Sequence, residues 1–228
     1  MTEFVIARAA DVGLPVVGTD AVFPVRRVYC IGRNYAAHTV EMGGDPDREE
    51  PFFFQKNAEN LDPSGVFPYP HQSGDVHHEV EMAVAMAAGG RGLAVEDALD
   101  CVFGYALCLD MTRRDVQAKL KKQSRPWEAA KAFEHSAPVG PIHTVAHCGH
   151  PARGRITLSV NGTIRQDGDL DQMIWKVPEI IAYLSETFEL AGGDVILTGT
   201  PSGVGAVERG DLVEIAIAGL GSHRVQVR

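Results

Sequence analysis

The chain has 228 residues, of which 45% are hydrophobic and 22% charged, with 30 acidic against 21 Lys and Arg residues and a net charge of −9. That length suffices for one sizeable core. The acidic balance argues against a general nucleic-acid binder, which needs a basic face, and no apolar run approaches the roughly 20 residues of a membrane-spanning helix. The N-terminus, Met-Thr-Glu-Phe-Val, has neither a basic start nor a long apolar run, so the expectation is a cytoplasmic protein. The four cysteines, Cys30, Cys101, Cys108 and Cys148, form no C-x-x-C pair and are expected as free thiols in a reducing compartment.

Residues 1–24, apolar and punctuated by Gly and Pro, are expected to form short strands and turns as an N-terminal extension packed on a catalytic domain over 25–228. Val25 to Gly32 reads as a strand. Asn34 is placed to cap a short helix over Tyr35–Met42, which Gly43-Gly44-Asp45-Pro46 ends. Pro51-Phe-Phe-Phe-Gln-Lys56 and His77 to Ala87 read as strands, Val95–Asp100 as a short helix, and Val102–Leu109 as a β-prone run ending at Asp110.

After Asp110, Thr112 with Asp115 three residues on suggests a capping box for a helix to about Lys122. Ile156 to Gln166, interrupted by Asn161-Gly162, is a hairpin signature. Val177-Pro178 opens a helix with Ile180, Ile181, Leu184 and Phe188 on one face, and Val195–Thr198, Val213–Ala218 and Val225–Val227 close the chain as strands. Many short strands and few helices predict an α+β, predominantly β fold, a roll or sandwich rather than a doubly wound sheet.

Three acids stand out. Glu79 and Glu81 sit at i and i+2 of a predicted strand, so both project from one face while Val80 points to the core, and Asp110 ends another strand. Oxygen-only ligands suit Mg²⁺ or Mn²⁺ over Zn²⁺; an edge strand with two solvated acids is the bland alternative, opposed by the apolar flanks Val80, Met82 and Val84. His38 and Glu41 stand at i and i+3, a spacing at which a carboxylate raises imidazole basicity. Arg114 and Gln117 share that spacing on the helix after Asp110, and Lys131 lies in the apolar stretch Trp127–Phe133. Gly199-Thr200-Pro201-Ser202-Gly203 follows a strand but lacks the ending of a phosphate loop. The histidines around 143–150 show no metal-ligand spacing, and no Gly-x-Ser-x-Gly elbow is present.

Taken in order, Ile31-Gly-Arg-Asn-Tyr-Ala-Ala-His38-Thr-Val-Glu41-Met, His77-His-Glu79-Val-Glu81, Gly104-Tyr-Ala-Leu-Cys-Leu-Asp110-Met-Thr-Arg-Arg-Asp, Trp127-Glu-Ala-Ala-Lys131-Ala-Phe and Ile196-Leu-Thr-Gly-Thr200-Pro-Ser-Gly-Val-Gly resemble the fumarylacetoacetate hydrolase family. The resemblance implies a mixed β-sandwich roll of that family's C-terminal type and a homodimer. It implies one Mg²⁺ or Mn²⁺ per subunit on Glu79, Glu81 and Asp110. It further implies His38 and Glu41 as a water-activating dyad, Lys131 as a catalytic cation, and Arg33, Arg114, Gln117 and Thr200 as substrate-binding residues. Pro51-Phe-Phe-Phe-Gln-Lys-Asn and Gln172-Met-Ile-Trp-Lys-Val-Pro are similar to members that hydrolyse fumarylpyruvate in gentisate catabolism. The expected activity is therefore metal-dependent cleavage of the C–C bond of a 2,4-dioxo acid, with an oxaloacetate decarboxylase, a general acylpyruvase and a non-catalytic oxo-acid binder as alternatives.

Overall fold

In a computed structural model of the chain, residues 5–7, 11–36 and 50–228 are described. The dyad candidates His38 and Glu41, and most of the helix expected over Tyr35–Met42, lie outside the described residues.

A mixed six-stranded sheet runs in the order His143–Thr144, Val102–Leu109, Val80–Met86, Asp194–Leu197, Arg27–Gly32, Phe52–Lys56; the Asp194–Leu197/Arg27–Gly32 pair is parallel and the others antiparallel. Its strands read as near-continuous apolar runs because both faces are covered. Val80, Met82, Val84 and Met86 point into the larger core, while Ala83 and Ala85 join Val28, Cys30, Ala106 and Cys108 in a smaller one. The larger core is closed by a five-stranded sheet in the order Thr163–Asp169, Arg155–Val160, Leu212–Ile217, Gly221–Val227, Val66–Phe67. Ile156, Leu158, Val213, Ile215 and Val225 supply its inner face. The helix Val177–Thr187 opens with Pro178 in its first turn and buries Ile180, Ile181 and Leu184 in the same core. Each such side chain contributes about 1.5–3 kcal/mol by leaving water. The smaller core is capped by the hairpin Gly13–Pro15/Val22–Pro24, which inserts Leu14 and Phe23. Among the described residues no helix is long and apolar enough to cross a membrane.

The hairpin expected at Asn161-Gly162 forms, with φ of 51° and 78° at the two turn residues, the left-handed pair of a type I′ turn. The strand expected as one piece from His77 to Ala87 is two pieces, Val76–His78 and Val80–Met86, separated at Glu79. Its neighbours break beside it. Val102–Leu109 gives way to Thr112–Arg113, and Asp194–Leu197 gives way to Gly205–Val207; the three continuations form a small sheet in the order Thr112–Arg113, Val76–His78, Gly205–Val207. Three adjacent strands thus leave the large sheet together along one corner, a device by which strands switch sheets. The Asp110 amide donates across it to the Glu79 carbonyl at 2.9 Å.

Other departures follow from the same corner. The helix after Asp110 begins at Arg114, and the expected Thr112–Asp115 capping box is absent. Thr112 is still in a strand and donates its hydroxyl to Glu79 Oε1 and the Asp110 carbonyl, each at 3.2 Å, while Asp115 accepts from Ser73 and Gly74. Asn34 is fully buried and works between segments: its amide donates to the Thr198 and Trp175 carbonyls and accepts from the Trp175 amide. Val95–Asp100 yields only one 3₁₀ turn, Ala98–Cys101. The four cysteines are free thiols, Cys30 and Cys108 buried and Cys101 and Cys148 half-buried.

Candidate active site

The corner gathers the acids. Glu79 stands at the break of one strand, Glu81 just inside the large sheet and Asp110 at the break of the next strand. All three are buried, and one oxygen from each lies within 4.8 Å of the others. The i, i+2 relation holds in effect although the strand is interrupted between them: Val80 faces the larger core and the flanking acids turn the other way.

Three cations surround them. Lys131 Nζ donates to Glu79 Oε2 at 2.9 Å and Asp110 Oδ2 at 2.6 Å. Arg114 Nη2 donates to Glu79 Oε1 at 2.5 Å, and its Nη1 donates to Gln117 Oε1 at 2.7 Å. Lys56 Nζ lies 2.9 Å from Asp110 Oδ1. Its three protons point elsewhere, to the Lys131 carbonyl and to the Ser136 carbonyl and hydroxyl, which exhausts an ammonium's donors. Asp110 Oδ1 is accordingly a buried carboxylate oxygen without a hydrogen-bond donor among the described residues. Glu81 accepts from the Gly199 amide at 2.7 Å. Gly199 can offer that amide because its φ is +91°; a Cβ there would lie 2.7 Å from Asn34 Cβ.

The electrostatics follow from burial. Burial pushes the Glu81 carboxyl well above the ordinary carboxylate range, and Asp110 and Glu79 push the same way against Lys131 and the Gly199 amide. Burial alone would lower the Lys131 ammonium, but Asp110 and Glu79 outweigh it and hold it above its usual range. A divalent cation relieves the crowded carboxylates, and the orphaned Asp110 oxygen is a ready ligand. The donor set fits a hard cation, and the trio can hold a divalent metal ion.

A narrow cleft opens above the trio. Arg33, Arg114, Gln117, Lys131 and Thr200 all line it with the three acids, so every expected site residue within the described part of the chain comes to one place. Arg33 is exposed and holds a left-handed backbone at φ 58°.

Several site residues escaped the sequence reading. Lys56 ends a strand whose alternate positions Phe52 and Phe54 are aromatic, so period two could have placed it on their face. Phe54 and Trp127 wall the cleft, with ring centroids 6.2 Å apart. Gln166, fully buried on the neighbouring sheet, gave no sequence signal. Its Oε1 accepts from the Val80 amide at 3.1 Å and His78 Nδ1 at 3.0 Å, and its Nε2 donates to the Pro201 carbonyl and Thr200 Oγ1, both at 2.8 Å. A backbone N–H can only donate and a backbone carbonyl only accept, so the amide orientation is fixed. Thr200 therefore accepts from Gln166 and keeps its own proton for another partner. By the same logic Gln117, whose Oε1 accepts from Arg114, keeps both amide protons.

Comparison with known proteins agrees with this architecture. The family pattern described as fumarylacetoacetate hydrolase C-terminal matches residues 27–228. The crystal structure of a fumarylpyruvate hydrolase from Pseudomonas aeruginosa in complex with Mn²⁺ and pyruvate is 49% identical, with a TM-score of 0.96 over 99% of both chains. The oxaloacetate tautomerase YcgM of Escherichia coli is 42% identical over 86% of this chain and 90% of its own length. The mitochondrial oxaloacetate tautomerase FAHD1 of Homo sapiens is 41% identical over 89% and 91%.

Proposed function

Because the chain belongs to the fumarylacetoacetate hydrolase family, we propose that it is a metal-dependent hydrolase that cleaves fumarylpyruvate, a 2,4-dioxo acid, into fumarate and pyruvate. The observation that carries the reading is the carboxylate trio with Lys131, Arg114, Gln117 and Thr200 in one cleft. The likeness to a hydrolase structure holding Mn²⁺ and pyruvate supports it.

A divalent cation on Glu79, Glu81 and Asp110 supplies Lewis-acid polarisation of an oxo group and charge stabilisation. The chain's own residues do the rest. Gln117, with its carbonyl taken by Arg114, and Thr200, with its oxygen taken by Gln166, present protons to the oxo-acid end of the substrate. Lys131, within hydrogen-bond reach of Glu79 and Asp110, serves the oxyanion that develops when water adds to the distal carbonyl. His38 and Glu41 are assigned to activating that water. The C–C bond then breaks, the electron pair passes to the pyruvate half as an enolate, and a proton restores pyruvate. The active unit is proposed to be a homodimer.

A second reading, oxaloacetate tautomerase, is favoured by the curated relatives at 41–42% identity. It uses the same trio but moves only a proton, so no C–C bond breaks. Loss of the dioxo-acid absorbance of fumarylpyruvate with one pyruvate released per turnover, by Mn²⁺-loaded protein, is the expected result. Faster ketonisation of oxaloacetate without fumarylpyruvate cleavage would replace the hydrolase with the tautomerase, and pyruvate formed from oxaloacetate would indicate a decarboxylase.

A further inference from the structure

The helix Arg114–Lys122 carries Arg114, Gln117 and Lys121 at i, i+3 and i+7, one face of the helix, and all three line the cleft. Arg114 reaches the floor, where it holds Glu79. Lys121 is about 10 Å further along the helix axis, at 1.5 Å per residue. Between floor and mouth the wall is aromatic: Phe54 and Trp127 line the cleft, and Lys121 Nζ lies 5.8 Å from the Trp127 ring centroid. Arg33 joins Lys121 at the mouth, and its left-handed backbone at φ 58°, unusual for a non-glycine residue, is the kind of strain that gathers at functional positions. Partial burial lowers the Lys121 ammonium's pKa, and Arg33 and Arg114 lower it further, so these cations feel one another across the cleft. Among the described residues no carboxylate pairs with Lys121. In a protein of net charge −9, cations gathered at an entrance make a receptor for an anion.

We propose that Lys121 and Arg33 form a second carboxylate subsite at the cleft mouth, selecting dioxo acids whose acyl group ends in a carboxylate. This rests on the hydrolase reading above. The oxo-acid end lies over the carboxylate trio, the conjugated acyl chain runs along Phe54 and Trp127, and the far carboxylate meets Lys121. A short acyl chain without a terminal charge makes the first contacts and not the last.

The test compares Mn²⁺-loaded wild type, Lys121→Met and Lys121→Arg on fumarylpyruvate and on 2,4-dioxopentanoate, which has the same oxo-acid end and no distal carboxylate. For Lys121→Met, kcat/KM on fumarylpyruvate is expected to fall about 10- to 100-fold, mainly through KM, the worth of one charge-assisted hydrogen bond. On 2,4-dioxopentanoate it changes less than about twofold, Lys121→Arg recovers most of the loss, and the thermal midpoint stays put because the side chain is exposed. An equal fall on both substrates, or no fall on either, overturns the subsite and leaves the hydrolase standing. Wild-type protein inert towards both overturns the hydrolase reading and the subsite with it.

Discussion

Gln166→Met tests how firmly the two sheets are fastened at the site. Methionine keeps the length and bulk of the side chain but can neither donate nor accept as an amide does. Four hydrogen bonds of 2.8–3.1 Å disappear. The Val80 amide and the Pro201 carbonyl are buried main-chain groups, and His78 is 1% exposed. These three lose a partner without access to water, whereas Thr200 can turn its hydroxyl towards the cleft. At about 1–3 kcal/mol for each stranded group, with some relaxation, the loss is about 3–6 kcal/mol. That is a large share of a typical total of about 5–15 kcal/mol. Urea unfolding followed by far-UV circular dichroism reads it as a lower midpoint with little change in slope. In the fraction that remains folded, kcat is expected to fall while Mn²⁺ affinity holds within about tenfold, since no proposed ligand is removed. A destabilisation below about 1 kcal/mol would refute the assignment of those bonds to one buried amide.

Three further outcomes follow from the same geometry. Lys56→Met leaves the buried Asp110 without its 2.9 Å ammonium neighbour, while the Lys131 and Ser136 carbonyls keep donors in the Ser136 hydroxyl and the Met111 amide, and is expected to cost about 3–5 kcal/mol by thermal melting; an unchanged midpoint would contradict the buried ion pair. Glu81→Gln keeps the bond from Gly199 but removes the charge. Calorimetric titration with Mn²⁺ should show affinity reduced at least about 100-fold, more than outer-shell changes usually cost, and wild-type affinity would remove Glu81 from the cation's ligands. His223 is held below the usual imidazole pKa by burial, and His143 by burial and then by His147. In both the folded pKa is depressed, so their contribution is present above the unfolded value of about 6.5 and is lost as pH falls through the lower folded values. Stability should therefore decline as pH drops below about 6.5, and His223→Gln should flatten the slope in denaturation midpoints taken across that range.

Much of this site could be read along the chain, because its acids and cations sit at fixed spacings inside apolar stretches. Glu79, Glu81, Asp110, Arg114 and Gln117 reach the cleft their spacings pointed to, and Lys131 and Thr200, expected there from the family resemblance, reach it as well. What stayed hidden depends on pairing between distant segments. The break at Glu79 carries no glycine or proline to announce it in Val76–Met86; the strand parts where its two neighbours turn at the same level. Thr112 resembled a helix cap because its sequence context is that of one, yet pairing with His77 holds it in a strand. Asn34 was read as a cap for the same reason, and its real partners are 141 and 164 residues away. Gln166 lies 88 residues beyond His78 and looks like any polar strand residue until the two sheets are stacked.

The shared corner bears on which ions the site will admit. Glu79 and Asp110 are joined through their main chains as well as by proximity, the amide of one bonded to the carbonyl of the other, and Glu81 is tethered to Gly199, two residues past the end of the third strand at the same bend. Widening the cage means prising apart a ladder rung rather than rotating a side chain. A socket built this way is expected to favour a small ion with bonds of about 2.0–2.2 Å over Ca²⁺, which needs about 2.3–2.6 Å and more ligands; equal affinity for Mn²⁺ and Ca²⁺ in a calorimetric titration would contradict it. On that expectation, selectivity among hard cations follows from how the strands pair, before any ion arrives.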